Sequence, residues 1–570
     1  MNKFSFLVLF GFFNIANFVL AQNPLFIPDT LAEDTFHLNL QAGTSSFFPG
    51  INTSTLGVNG NLLGPTLIMN QGQEVQMMVK NHLPDTTTIH WHGMHVSSAN
   101  DGGPHTYILS NATWSPRFTV LDKAGTYWYH PHLHKKTNEH VSKGIAGLII
   151  VRDNEEANIN LPRDYGVDDF PIIIQTKSLD ANHEIITQSV MDTLLLVNGT
   201  VNPFLNVPAQ VIRLRLLNGS SERVYQLGFS SNIQFYQIAS DGGLLSQALP
   251  MTRLRLAPGE RAEILLDLSN AQNQTHYLRS FSSELQQGVY GANQVGMGMA
   301  NIAGYNSNPL NGADFDILQL NVGVPTQSPV TQIPSTLASV VSWDENAVNV
   351  LRNLTFSPAG MGPTGMVNGP FQINGAFFEM NTINQTVNLN DIEIWTLFNQ
   401  SMVAHPFHIH DVQFYLLDRN GVTVAANEQG RKDVVLVHPM ETVRFITKFE
   451  DFADSVTPYM YHCHMLTHED EGMMGQFVVI DQTTSIESPL DKKGINVYPN
   501  PVNQDYFFIE SVNGDLIRKL EIYDLQGRLI LRQHPNQSSV KIFVDGHVSS
   551  GAYFLKIFTN YDLFTRKVFY

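Results

Sequence analysis

The 570-residue chain has one cysteine, few basic residues and no long internal apolar run. The lone thiol, Cys463, excludes a disulfide within the chain, so it serves either thiolate chemistry or packing. Lysine and arginine total 33 against 51 acidic residues, and no basic run clusters them. A net charge of −18 therefore argues against a nucleic-acid partner, whose phosphates require clustered cations. Beyond the N-terminus no segment is long and apolar enough to cross a bilayer, so we expect no stable membrane insertion.

The N-terminus carries the pattern of an export signal. Residues 1–21 contain Lys3, an apolar stretch from residue 4 to 13 and a small residue, Ala21, at the end. This pattern predicts a signal peptide cleaved before Gln22. The alternative, an uncleaved membrane anchor, is disfavoured because asparagines at 14 and 17 interrupt a stretch already short for spanning.

Histidines surround the single cysteine. His462, His464 and His468 all lie within five residues of Cys463, and Met473 follows ten residues after it. A thiolate with two imidazoles and a weakly bound thioether is the ligand set of a blue-copper electron-transfer centre. The alternative is a buried free cysteine beside chance histidines. The concentration of histidines favours metal.

Other histidines occur as His-x-His pairs, which a β-strand would place on one face. Four such pairs supply eight imidazoles, more than a single ion can hold, so several metal ions are expected. Cys463 would point away from its flanking pair, toward a separate site. His405 lies an odd number of residues from the pair that follows it, so an extended segment would turn it toward the side where Cys463 lies. The pairs are His90 and His92, His130 and His132, His408 and His410, and His462 and His464.

From about residue 25 to 482 the chain resembles the multicopper oxidases. The resemblance implies four copper ions: one type 1, one type 2 and a type 3 pair. His405, Cys463 and His468, with axial Met473, would hold the type 1 ion, and His90 and His408 the type 2 ion. The type 3 pair would be held by His92, His130, His132, His410, His462 and His464. Within the family, the stretches at 130–148 and 468–474 are most similar to the three-domain bacterial laccases and cuprous oxidases.

Internal repeats predict the architecture. Asn-Gly turns at 59, 198 and 374 open three similar stretches of alternating strand pattern, which favours an all-β fold of sandwiches. In the first and third copies the turn glycine precedes a histidine motif by 30 residues, whereas the middle copy lacks histidine there. The metal cluster should therefore lie between the first and third copies, with the second as a spacer. We assign domains to residues 22–160, 161–325 and 340–482, and the resemblance implies that each is cupredoxin-like.

A fourth domain is predicted after a boundary at 482–493. Residues 495–570 resemble the C-terminal sorting domain of type IX secretion, although an ordinary small β-domain is the alternative. The expected fold class is thus all-β, with three cupredoxin-like β-sandwich domains followed by a small C-terminal β-sandwich. The expected route is export into the periplasm and then delivery, by the type IX secretion machinery, to the cell surface or the medium.

Two carboxylates are candidate catalytic residues. Reduction of O2 to water consumes four protons, so acidic groups near the metals have work as proton donors. Asp101 and Glu469 match acidic residues that the family uses near its three-copper site. The alternatives are a turn aspartate and an exposed glutamate.

The resemblance implies a laccase-like oxidase that takes electrons from a small phenolic or similar substrate and passes them to O2. The alternative is a metal oxidase acting on cuprous or ferrous ions. Cuprous oxidases of this type carry a long methionine-rich segment, whereas residues 358–366 hold only Met361 and Met366, and residues 296–299 only Met297 and Met299. So small a number of methionines favours packing roles for them. A copper-free binding protein on the same fold is disfavoured by the intact ligands, and copper nitrite reductase by the eight-histidine cluster that its site does not need.

Overall fold

The computed structural model describes residues 22–298, 300–360, 362, 365–481, 494–502, 505–512, 514–524, 526–543, 551–560 and 563–569. The predicted signal peptide at 1–21, Met299, Met361 and the predicted boundary at 482–493 lie outside the described residues. The chain divides into two compact units, one ending at Ile480 and the other beginning at Asp481. Within the described ranges, no helix has the length and apolar character that crossing a membrane requires.

The first pair of sheets carries the first two histidine motifs. Its strands alternate buried and partly exposed residues, as in Glu74–Asn81, and the buried faces share a core that includes Trp91 and Tyr129. One sheet runs in the order Thr30–Leu31, Thr66–Asn70, Gly147–Arg152, Gly125–His130 and His90–His92. The other runs Ile51–Val58, Thr35–Phe48, Glu74–Asn81 and Thr113–Trp114, with Arg117–Thr119 also on Glu74–Asn81.

The middle pair of sheets encloses a second core of aliphatic residues. The first described strand, Asn23–Pro24, pairs in parallel with Pro203–Val207, so it belongs to the middle pair although the strands that follow it form the first pair. One sheet contains Asn23–Pro24, Pro203–Val207, Asp314–Val322, Thr275–Phe281, Tyr225–Phe229 and Leu254–Leu256. The other contains Thr200–Val201, Leu194–Val197, Asp169–Leu179, Val211–Asn218, Arg261–Asp267, Phe235–Ser240 and Gly243–Met251, with Ile185–Ile186 on Asp169–Leu179.

The third pair of sheets carries the remaining histidine motifs and Cys463. Its core is rich in aromatic residues, among them Trp395 and Phe407, and includes Cys463 and Met473. One sheet contains Phe371–Ile373, Val350–Pro358, Ile392–Asn399, Thr442–Lys448, Tyr415–Arg419 and Val422–Thr423. The other contains Gln385–Asn388, Met474–Ile480, Asp454–Cys463, His405–Ile409 and Val434–Val437.

Helices are short and serve as connections. The α-helices are Ser98–Asp101, Thr137–Lys143, Asn154–Ala157, Gly365–Asn368 and Leu466–Asp470. The 3-10 turns are Ser282–Glu284, Tyr305–Ser307, Glu345–Ala347 and Ala426–Glu428. Strands dominate the described residues, so the all-β prediction is confirmed.

The C-terminal unit has two sheets and a core of its own, which includes Phe507, Ile509, Leu520 and Leu555. One sheet contains Ile495–Tyr498, Tyr506–Ser511 and Ser539–Phe543. The other contains Leu529–Gln533, Lys519–Tyr523, Ala552–Phe558 and Leu563–Phe569. The predicted small β-sandwich is therefore confirmed.

Candidate metal centres

One cluster gathers the residues predicted for a blue-copper site. The Sγ atom of Cys463 lies 3.6 Å from Nδ1 of His405 and 3.6 Å from Nδ1 of His468. The backbone of Met473 joins them, because its carbonyl accepts the N–H of Cys463 at 3.0 Å and its own N–H donates to the carbonyl of His468 at 2.9 Å. All four side chains are buried. We call this group the sulfur site.

Neighbouring residues fix the imidazoles of the sulfur site. The Nε2 atom of His405 lies 2.8 Å from the hydroxyl of Ser401, which can itself donate to Asn399. In that arrangement Ser401 accepts the Nε2 proton, and Nδ1 of His405 presents a lone pair to Cys463. Phe371 packs against both imidazoles at 4.6 Å between ring centroids. Sequence reasoning missed Ser401 and Phe371, since neither belongs to a histidine motif.

Burial sets the protonation of the sulfur site. It lowers the pKa of His468 to about 3, and lowers that of His405 well below its usual range. Both imidazoles are therefore neutral and can donate lone pairs to a metal. Burial also raises the pKa of the Cys463 thiol above its usual range, so the thiolate needs a bound cation to form.

The eight histidines of the four His-x-His pairs come together in one buried cluster, each at most 1% exposed. Strand register builds each half: His90 pairs with His130, and His408 pairs with His462. Across the interface between the first and third pairs of sheets, His90 stacks on His410, and His92 stacks on His408, both at 3.8 Å between centroids. We call this group the histidine cluster. Its members are His90, His92, His130, His132, His408, His410, His462 and His464.

Three Nε2 atoms of the cluster converge on one point. Those of His132 and His410 lie 3.1 and 3.4 Å from that of His462. Uncharged nitrogens this close with no proton between them repel one another, so the arrangement fits a shared cation. On the opposite side of the cluster, Nδ1 of His92 lies 3.3 Å from Nε2 of His130.

The remaining nitrogens of the cluster lack partners among the described residues. The nitrogens without a hydrogen-bond partner are Nε2 of His90, Nδ1 of His132, Nε2 of His408 and both ring nitrogens of His464, all buried. The ring of His464 is 4.9 Å from that of His92, so it closes the second side of the cluster. Buried polar atoms are costly when unsatisfied, and imidazole nitrogens are good ligands for copper. The residues therefore fit bound metal.

Burial also keeps six histidines of the cluster neutral. It lowers the pKa of His410 to about 3 and moves several other members well below the usual range. Repulsion between neighbouring imidazoles adds to the effect, as for His408 beside His410. The members with pKa values lowered well below the usual range are His92, His130, His132, His408 and His464. Neutral rings leave one lone pair each for a metal ion.

Asp101 and Glu469 are both 1% exposed and touch the outer nitrogens of the cluster. Asp101 lies 2.8 Å from Nδ1 of His410 and 3.2 Å from Nδ1 of His90. Glu469 lies 3.3 Å from Nδ1 of His132 and 3.2 Å from Nδ1 of His462. Neither is a turn aspartate in solvent or an exposed glutamate.

The two carboxylates are held in their anionic form. Burial alone would raise the pKa of each, but the electrostatic interaction with the adjacent imidazoles, followed by hydrogen bonding, outweighs it and lowers the pKa well below the usual range. An anionic carboxylate accepts the Nδ1 proton of a histidine and turns Nε2 inward. Asp101 orients two rings, because its carboxylate accepts from Nδ1 of His410 at 2.8 Å and its backbone carbonyl accepts from Nδ1 of His90 at 2.9 Å. Nδ1 of His462 donates to the carbonyl of Cys463 at 3.0 Å, and Glu469 adds an electrostatic contact to the rings of His132 and His462.

Sequence reasoning missed a third carboxylate, Asp433. One of its oxygens lies 3.1 Å from Nε2 of His92, and its backbone carbonyl lies 2.9 Å from Nδ1 of His408. Arg261, from the middle pair of sheets, grips this carboxylate with two hydrogen bonds. The middle copy, predicted as a spacer, therefore reaches the cluster. Asp433 follows His92 by 341 positions, so no local pattern could have indicated the contact.

Comparisons with known proteins agree with this geometry. Two family models described as multicopper oxidase match residues 39–156 and 345–483. A model described as secretion system C-terminal sorting domain matches residues 496–569.

Relatives cover most of the chain. A multicopper oxidase from Staphylococcus haemolyticus is 33% identical over 453 residues, 78% of this chain and 88% of its own. The cell division protein FtsP of Escherichia coli is 30% identical over 468 residues, 80% of this chain and 93% of its own. The structure of a bacterial laccase-like multicopper oxidase from Ochrobactrum sp. superposes with a TM-score of 0.71 at 32% identity, over 80% of this chain and 100% of that one. The fold is accordingly cupredoxin-like, and the chain belongs to the multicopper oxidase family and ends in a secretion-system sorting domain.

Proposed function

We propose that the chain is an exported, laccase-like copper oxidase that oxidises a small reducing substrate one electron at a time and reduces O2 to water. The observation that carries the proposal is the position of Cys463. Its thiol lies in the sulfur site, while its two chain neighbours, His462 and His464, lie in the histidine cluster. A few covalent bonds therefore join a site for electron entry to a site with room for several metals.

Copper assignments follow from these groups. His405, Cys463 and His468, with Met473, would hold a type 1 ion. His90 and His408, whose inward nitrogens lack protein partners among the described residues, would hold a type 2 ion. The remaining six members of the cluster would hold a type 3 pair. When bound, copper supplies the one-electron oxidation of substrate and the four-electron reduction of O2.

The carboxylates would manage protons. Reduction of O2 to water takes up four protons, and Asp101 and Glu469 are two of the carboxylates in contact with rings that face each other across the first and third pairs of sheets. Being anionic, each can accept a proton and give it up toward the cluster. The proposal assigns both as proton carriers as well as orienting groups.

Paired substitutions test the division of ligands. Cys463→Ser should abolish the intense visible band expected from a copper–thiolate bond, and with it substrate oxidation. His408→Ala should keep that band, still bleached by a phenolic substrate, while oxygen uptake falls at least 100-fold. Absorption spectra and an oxygen electrode measure both. A wild-type protein with full copper and no visible band would refute the assignment of a type 1 copper to the sulfur site. Full oxygen uptake by His408→Ala would refute the assignment of oxygen reduction to the histidine cluster.

A second candidate, oxidation of Cu(I), is favoured by a methionine group that the sequence did not reveal. The N–H of Met297 donates to the carbonyl of Met402 at 2.9 Å, and the N–H of Met402 donates to that of Met366 at 3.2 Å. Met402 packs against the core that contains Cys463, and Met297 is 39% exposed. Backbone hydrogen bonds thus link three methionines, one of them packed against the core of the sulfur site, and thioethers are suited to soft Cu(I).

Oxygen uptake with a phenol, Fe(II) and Cu(I) in parallel separates the two candidates. For a Cu(I) oxidase, Met402→Leu should raise the Cu(I) concentration for half-maximal uptake about tenfold, the effect of losing ~1.4 kcal/mol of binding. Phenol-dependent uptake should not change. Met251→Leu, a partly buried methionine on the middle pair of sheets, is the control. If Met402→Leu and Met251→Leu depend on Cu(I) concentration equally, the Cu(I) oxidase is rejected and the laccase-like function remains as the single candidate.

A further inference from the structure

Arg261 occupies the point at which the three pairs of sheets meet. It is fully buried, and each of its five N–H donors has an acceptor. Nε donates to the carbonyl of Thr126 at 3.2 Å, Nη1 to that of Gly259 at 2.9 Å and Nη2 to that of Asp241 at 3.0 Å. The remaining donors grip the two oxygens of Asp433 at 2.6 and 2.5 Å. A planar guanidinium bound in this way has one orientation.

Asp433 transmits that orientation to the histidine cluster. Because Nε2 of His92 faces this carboxylate at 3.1 Å, the proton resides on Nε2, and the unprotonated Nδ1 faces His130 at 3.3 Å. His92 thus uses the opposite nitrogen from His132, His410 and His462, which turn Nε2 inward. No carboxylate on the Asp101 or Glu469 side could impose this, since both of those act on Nδ1.

Two glycines allow the close packing around Arg261 and Asp433. Gly93, next to His92, has φ of +84°, and a Cβ there would lie 2.5 Å from Asp433 and 2.6 Å from Arg261. Gly259 has φ of +83°, and its Cβ would lie 2.9 Å from the ring of His464. Only glycine lets the Arg261–Asp433 pair and the middle pair of sheets approach the cluster this closely.

We propose that Arg261 is a positioning residue for the metals of the histidine cluster: it clamps Asp433, which selects the tautomer of His92 and holds the ring of His408. The middle domain therefore takes part in building the metal site between the other two. The inference rests on the proposed function, because it concerns copper held by these histidines.

Arg261→Lys tests the inference, since an ammonium cannot form the two-pronged contact with a carboxylate. We expect copper of the cluster to be lost to a chelator at a 10- to 100-fold lower chelator concentration than in the wild type, the usual effect of removing a group that orients a ligand. The visible band of the Cys463 site should persist. Copper per chain, the electron paramagnetic resonance signal of type 2 copper and the visible spectrum are the readouts.

The matched control is Arg213→Lys. Arg213 is also a buried arginine of the middle pair of sheets, and its guanidinium bonds to Glu156 and Glu263. The Arg213→Lys variant should lose stability as Arg261→Lys does, but it should keep all of its copper. A second variant, Arg261→Met with Asp433→Leu, leaves no unpaired buried charge, so it should fold and still lose cluster copper.

The outcomes separate the inference from the proposed function. Equal copper retention in the Arg261 variants and in Arg213→Lys overturns the inference. Parallel loss of copper from the Cys463 site and the cluster also overturns it, because the arginine would then be merely structural. A wild-type protein that binds copper at Cys463 and none at the histidines would instead overturn the proposed function.

Discussion

Single residues decide how closely the middle pair of sheets approaches the metals. Gly259 has φ of +83°, a backbone conformation that side chains rarely adopt, and it faces the ring of His464. Gly421 has φ of +77° with open space around its missing Cβ. Comparing alanine substitutions at these two glycines therefore separates the cost of backbone strain from the cost of a steric contact.

Gly259→Ala should lower the free energy of unfolding more than Gly421→Ala does. Both changes strain the backbone by about 1–3 kcal/mol. Gly259→Ala adds a contact at 2.9 Å with His464, which costs about 1–3 kcal/mol more. Gly259→Ala should also alter the spectrum of copper bound at the proposed histidine cluster, whereas Gly421→Ala should not. Denaturant titration and absorption spectra measure these effects, and equal behaviour of the two variants would contradict the close approach.

Within individual elements, the alternation of side chains along a strand made the candidate site largely predictable. In Asp454–Cys463 the thiol and the preceding imidazole of His462 point to opposite faces, and the neighbouring strand His405–Ile409 repeats the pattern in register. The histidine motifs, the all-β fold and the small C-terminal sandwich follow from such local periodicity. Contacts between elements do not follow from local periodicity. Asp433 and Arg261 are 172 positions apart, and the three methionines come from separate segments. Only the packing of the sheets brings them together.

At the scale of the whole molecule, the candidate metal sites and the sorting-domain match fall in different compact units. The unit ending at Ile480 contains the sulfur site and the histidine cluster, whereas the C-terminal unit has its own core and matches a sorting domain. Each unit has its own hydrophobic core, and a compact domain with its own core can fold alone. We therefore expect chemistry and delivery to be separable.

Truncation after residue 484 should give a purified protein with the same visible band and oxygen uptake as the full chain, within about twofold. In its native host the truncated chain should stay in the periplasm, because the sorting signal is gone. Cell fractionation and activity assays measure both. Loss of copper on truncation would show that the C-terminal unit supports the oxidase, and normal delivery to the surface would remove the sorting role.

The solitary thiol also has a practical consequence for labelling. Cys463 is 1% exposed, so a maleimide dye cannot reach it in the native fold. In the wild type, dye attachment therefore counts unfolded molecules directly, without an engineered probe. A cysteine introduced anywhere on the surface becomes the only reactive position. The protein can consequently carry a fluorophore or an electrode linker at a chosen point while its own thiol stays hidden.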